Sequence, residues 1–293
     1  MKRTNIHRGV LLSVLAVVVA FSGIPLLAAV PNSASTNQLQ AETVSAWDEY
    51  IRGVDSRMQA RFAGGASFLW IDESKHRSRR IVQGEVLVAP VLPHGTQSVP
   101  NGLIHHWIGG ISIPGAAIDS LVSVTQNYSK YKEFYKPVVA DSKVLGCTER
   151  DQRFSMVWQH KVLFINAAIK GEYQAHAVRV DRGRGYNIAD TVRVQEIEHY
   201  GRSDERLLPA GTGKGFIWRL HSIARYEERD GGVYFELEAI ALTRDIPGSV
   251  RWFVNPVVNH LSINSLSTTL QQTRDAVNSV SVAKAGGPFC SNP

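Results

Sequence analysis

His105 and His106 are the residues best suited by type to acid–base chemistry, and their adjacency limits what they can do. Neighbouring side chains on a strand point to opposite faces, so the two imidazoles cannot serve one site. His105 shares its phase with Trp107, Gly109 and Ile111. An interior or edge histidine is favoured over a general base, because no partner nucleophile can be named. Gly211-Thr212-Gly213-Lys214-Gly215 resembles a phosphate loop, but it lacks the spacing and precedes a strand, so it reads as a flexible loop. No G-x-S-x-G elbow occurs. Cys147 and Cys290 are the only cysteines, and without clustered histidines they give no zinc motif. A disulfide between them and two unpaired thiols both stay open. No catalytic set, metal site or cofactor is expected.

The elements that must position any site are clearest in the last third. Phe216 to Tyr226 and Val233 to Arg244 read as strands joined at Asp230-Gly231, a dipeptide suited to a type I′ turn with φ > 0 at both positions. A two-residue turn there sets Arg225 opposite Glu236 and Ile223 opposite Glu238. One face of the hairpin then carries Phe216, Trp218, Leu220, Ser222, Ala224, Tyr226, Phe235, Leu237, Ala239 and Ala241. The other carries Arg219, His221, Ile223, Arg225, Tyr234, Glu236, Glu238 and Ile240. The aromatic face must be covered, since each large apolar side chain removed from water is worth about 1.5–3 kcal/mol. The Arg/Glu face has two readings: a solvated outer surface, which is favoured, or a polar patch inside a cavity that anchors a ligand head group. Ile246-Pro247-Gly248 ends the hairpin. A helix is expected from about 249 to 280, with Val257, Val258 and Leu261 giving it an apolar stripe.

Upstream, 42–62 forms a candidate helix, with Trp47, Ile51, Val54 and Met58 at helical spacing. Strands are expected over 81–91 and 102–113. A helix then ends near Asn127 and a second covers 129–135. Strands follow over 138–146, 154–168, 173–181 and 188–200. Strands grouped in series indicate an antiparallel sheet and an α+β class, not a βαβ array. Trp158 has Met156, His160, Val162 and Phe164 on its phase.

Composition sets the remaining bounds. The 293 residues are 44% hydrophobic and 20% charged, which predicts a folded body with a sizeable core. The formal charge of +6 includes Lys2, Arg3 and Arg8. These precede an apolar run from Val10 to Val30 and form the layout of a secretory signal. Its removal leaves 29 basic residues against 26 acidic ones, a net +3. A footprint that small argues against nucleic-acid binding. An uncleaved N-terminal membrane anchor is the alternative, and either way the folded part is expected outside the cytoplasm, periplasmic or secreted. The expected domains are 1–30 signal, 31–79 linker and N-terminal helix, 80–280 folded domain, and 281–293 tail.

Ile111-Ser112-Ile113-Pro114-Gly115 with a following helix, then Tyr128, Tyr131, Tyr135-Lys136-Pro137 and a return strand ending at Leu145, resembles the START-like superfamily. This group is also called helix-grip or polyketide-cyclase-like. Gly231-Gly232-Val233-Tyr234 through Arg244-Asp245-Ile246-Pro247 and the terminal helix extend the resemblance over about 80–280. It looks closest to uncharacterised secreted bacterial members. Ile113 stands where a small residue is usual. The resemblance implies a curved antiparallel sheet gripping a long C-terminal helix. With the covered aromatic face, it implies a cavity for a lipid or other apolar small molecule, and membrane contact is an open possibility. The expected ligand-binding residues are His105, Trp107, Trp158, Trp218, Phe235, Leu237, Val257 and Leu261. A cyclase- or hydrolase-type enzyme and a partner-binding module with a filled core are the alternatives.

Overall fold

A computed structural model describes residues 38–64, 66–148, 150–162, 165–245 and 248–280, with the backbone course alone over 160–162, 165–167 and 248–258. The expected export segment and Cys290 lie outside the described residues.

The described residues open with helix α1 (Ala41–Phe62), a 3-10 turn over Trp70–Glu73 and helix α2 (Lys75–Val82). Strands β1 (Leu87–Pro90), β2 (Thr96–Val99) and β3 (Gly102–Pro114) follow, then helices α3 (Ile118–Thr125) and α4 (Tyr131–Phe134). Next come β4 (Val139–Cys147), β5 (Asp151–Val162), β6 (Ile165–Arg179), β7 (Arg184–Glu198) and β8 (Arg206–Leu207). Strands β9 (Arg219–Arg229) and β10 (Gly232–Arg244) and helix α5 (Gly248–Ser279) complete the fold.

Two expected strands are corrected. Ile81 and Val82 end α2 instead of opening a strand: Ser74 caps the helix by accepting from the Arg77 N–H at 3.5 Å, and Gly84, at φ +86, turns the chain before β1. The single strand expected over 154–168 is two strands, paired through Val162 opposite Ile165.

All ladders are antiparallel. The order is β1-β3-β10-β9-β7-β6-β5-β4, with β2 also on β3 and β8 on β7. The sheet stays open between β1 and β4. Asp230 and Gly231 sit at φ 53 and 73, and the turn they make sets Glu236 opposite Arg225 and Glu238 opposite Ile223 as expected. Helix α5 packs on one face, where Leu266, Leu270 and Val277 meet Trp107, Ile111 and Phe235. The fold is of the α+β class, a helix-grip arrangement of an antiparallel sheet against a long C-terminal helix.

The opposite face is also covered. Trp47, Val54 and Met58 of α1 pack on Ile223, Ile240 and Leu242, and Leu69, Ile71 and Ile81 pack on Tyr234. The sheet is therefore the middle of three layers. Gly109 and Gly110 let both outer layers approach β3. A Cβ on Gly109 would lie 2.7 Å from Leu270 Cδ1, and one on Gly110 3.0 Å from Ile71 Cγ2. Among the described residues no helix is long and apolar enough to cross a membrane.

Candidate ligand-binding site

Alternation along β3, β9 and β10 points His105, Trp107, Phe235 and Leu237 toward α5. Trp107 and Phe235 are buried with Leu266 and Leu270, and Leu237 is only partly buried against them. Leu261 is buried on α5. The Trp107 indole N–H is buried without a partner, and the ring lies so close to Gly95 that a Cβ there would sit 2.3 Å from it. Trp158 is half-buried in the neighbouring aromatic cluster, where its indole N–H donates to Tyr173 Oη at 2.9 Å. The Val257 side chain lies outside the described residues.

Trp218 is elsewhere. It packs with Trp47, Val54 and Met58 beneath α1, not under α5. The cause is local. The regular register of β9 on β10 ends with Arg219 opposite Leu242; the next bond, Trp218 N–H to Leu242 O at 2.8 Å, is slipped by one residue, which breaks the alternation at Trp218. Its ring folds over Gly215, where a Cβ would lie 3.0 Å away.

Exposure differs sharply between the two faces. Leu220, Ser222, Leu237, Ala239 and Ala241 point toward α5 and are only half-buried. On the α1 side Ile223, Ile240 and Leu242 are wholly buried. The face toward α5 therefore retains accessible surface over a floor of small residues. Beyond it, toward β5 and β6, space is filled by a stack. Tyr128 lies on Phe154 at 3.7 Å and Phe154 on Tyr173 at 4.9 Å, with the rings within 6° of parallel.

His105 borders this accessible surface. Its Nε2 is 3.0 Å from Thr243 Oγ1, and it lies opposite Ala241. Enclosure pushes its pKa down to about 4, while part of its surface stays accessible.

The Arg/Glu face is neither solvated nor beneath α5. Arg225 and Glu236 are 1% and 0% exposed. Arg225 Nε and Nη1 donate to Glu236 Oε2 and Glu238 Oε2 at 3.3 and 2.8 Å. Glu236 also accepts from the Trp70 and Ile71 N–H groups at 2.9 and 2.7 Å. Glu238 Oε1 is 2.7 Å from His106 Nε2, and His106 Nδ1 is 2.6 Å from Tyr50 Oη. Despite the cost of burial, His106 and Arg225 hold the Glu238 carboxyl down to about 2, so it is an acceptor. Burial pushes Tyr50 up to about 12, which keeps its hydroxyl proton. His106 thus bridges the Glu238 carboxylate and the Tyr50 hydroxyl, one through each ring nitrogen. The two histidines do serve opposite faces. Tyr50 stands at i+3 from Trp47 and i−4 from Val54, on the same face of α1 as the apolar stripe, and this spacing was the signal that could have found it.

No family model and no curated protein matches the sequence. Among solved structures, the chain is similar to a fragment of a STAR-related lipid transfer protein from Xanthomonas axonopodis. That match is 18% identical, covers 63% of this chain and 99% of that one, and has a TM-score of 0.42. The Zhui aromatase/cyclase from a Streptomyces species is 13% identical, covering 59% and 96%, with a TM-score of 0.39. A START superfamily protein from Mycobacterium smegmatis is 8% identical, covering 59% and 97%, with a TM-score of 0.37.

Proposed function

We propose that this protein binds an apolar small molecule, a lipid among them, in the hollow between the sheet and α5. The supporting observation is the incomplete burial of Leu220, Leu237, Ala239 and Ala241 on the sheet face against which α5 packs. The ligand's apolar body would lie on this floor, with Trp107 and Phe235 as walls. His105 and Thr243 would give one polar contact. Pockets of this kind are mostly apolar with few placed polar groups. His105 is bonded to Thr243 and to no carboxylate among the described residues, which favours binding over acid–base catalysis. Entry and release would need the first half of α5 to lift. The N-terminal segment would export the protein, and N-terminal sequencing should start between about Val30 and Leu39.

Native mass spectrometry of the purified chain should reveal an extractable apolar adduct. Ala239 sits between Trp107 and Ser222 on neighbouring strands. Ala239→Trp should abolish the adduct at little cost in stability, because it fills empty space. No adduct, together with a loss of about 1–3 kcal/mol or more from overpacking, would mean a filled core.

A further inference from the structure

Resting on the binding role proposed for the hollow beneath α5, we infer that this site selects an uncharged molecule bearing a hydroxyl group, with His105 as the residue that recognises the hydroxyl.

Charge sets the first limit. The positions of β3 and β10 that face α5 are 103, 105, 107, 109, 111 and 113, and 235, 237, 239, 241 and 243. His105 is the one titratable side chain among them. On β9 the same face carries one charged group, Glu228. It lies at the far end of the strand, where its carboxylate accepts the Ile118 N–H at 2.8 Å. The buried positions of α5 from 261 to 277 carry no charged side chain. Among the described residues, therefore, no cation faces this floor to receive a carboxylate or phosphate. An anion placed there gives up its hydration without a counter-charge, which costs far more than burying a neutral polar group.

His105 sets the second limit. Burial lowers its pKa to about 4, so at neutral pH the ring has no charge to attract an anion. Its Nε2 is 3.0 Å from Thr243 Oγ1, and its Nδ1 has no partner among the described residues. The Trp107 indole N–H also lacks a partner but is sealed off. Nδ1 is not sealed, and the imidazole keeps accessible surface. A ligand can reach it. A hydroxyl fits Nδ1 in either ring tautomer, because it can donate to a bare nitrogen or accept from an N–H. A hydrocarbon or halide end covers Nδ1 and leaves it without a hydrogen bond, at a cost.

Register places the rest of the molecule. His105 lies opposite Ala241, and Ala241 opposite Leu220; Ala239 lies between Trp107 and Ser222. The small side chains of Ala239, Ala241 and Ser222 form a strip that is only half-buried. A hydrocarbon body laid along this strip brings its hydroxyl end to His105.

The test is isothermal titration calorimetry of the full chain near neutral pH with octanol, octanoate and octyl chloride, which share a chain and differ at its end. Octanol should bind about tenfold or more tightly than either of the others. His105→Phe keeps a ring of similar size without its nitrogens and should bring octanol down to the level of octyl chloride. Ala239→Trp, which fills the hollow, should abolish octanol binding. If His105→Phe does not fold, the ranking of the three ligands on the parent protein decides. The inference falls while the hollow stands if octanoate or octyl chloride binds as tightly as octanol, or if folded His105→Phe keeps the preference. Octanol that binds Ala239→Trp as it binds the parent sits elsewhere and overturns the inference. If none of the three binds, the hollow is not a binding site, and the proposed function falls with the inference.

Discussion

Arg225 and Glu236 face each other across neighbouring strands, both wholly buried, with Arg225 Nε 3.3 Å from Glu236 Oε2. The pair lies beneath the N-terminal helices, and Glu236 also holds the 3-10 turn through two backbone N–H groups. Removing one member strands the other's charge. Glu236→Ala should therefore cost about 3–5 kcal/mol, read as a lower urea midpoint. Replacing such a pair by apolar residues is often neutral. Here Arg225→Met with Glu236→Met should still destabilise, because the Trp70 and Ile71 N–H groups lose their acceptor at about 1–3 kcal/mol each. A double variant as stable as the parent would show that these two bonds contribute nothing.

The turn that sets this pairing can be tested separately. Gly231 is at φ 73 with open space around its Cβ position, so Gly231→Ala meets no clash and isolates the backbone cost. That cost should be about 1–2 kcal/mol. Asp230→Asn should be nearly neutral, since asparagine tolerates the left-handed region. Denaturant midpoints of the two variants should separate accordingly.

The hairpin was legible because its register depends on two adjacent residues and on alternation, both local. The α1 stripe of Trp47, Ile51, Val54 and Met58 was legible for the same reason. Its partner surface was not. Ile223, Ile240 and Leu242 lie far along the chain, and their face also carries Arg225, Glu236 and Glu238, which read locally as a solvated surface. Only the tertiary fold, which supplies two N–H groups, a histidine and a methionine sulfur, makes those charges tolerable inside. Trp218 was misplaced because alternation was extended past a one-residue slip in the register at Arg219. The division of 154–168 into β5 and β6 was missed because no Gly, Pro, Asn or Asp stands between Val162 and Ile165 to signal it.

His105 makes stability depend on pH. Its folded pKa of about 4 lies below the ordinary 6.5, so the unfolded chain takes up the proton first. The corresponding stability is complete above pH 6.5 and is lost as pH falls toward 4. At about 1.4 kcal/mol per unit the loss is at most about 3 kcal/mol. His105→Gln retains a hydrogen-bonding group near Thr243 and does not titrate. Denaturation series at pH 7 and pH 4.5 should show a smaller drop for the variant than for the parent. Equal drops would show that His105 is as well solvated folded as unfolded. Glu238, depressed from 4.5 to about 2, adds a separate loss below pH 4.5 in both proteins.

Met58 tests whether α1 is part of the folded core. It is 2% exposed, packs in the cluster with Ile223 and Ile240, and places its sulfur 3.6 Å from Arg225 Nη1. Met58→Ala removes most of that side chain from a sealed interface and should cost about 2–5 kcal/mol. Met58→Leu conserves volume and loses only a weak acceptor, so it should cost under about 1.5 kcal/mol. Met58→Ala should also make backbone amides of α1 exchange faster with deuterium, along with those of β9 beside Arg225, because one interface protects both. If α1 amides accelerate while β9 keeps its protection, the helix opens independently of the sheet, and the network around Arg225 does not need its cover.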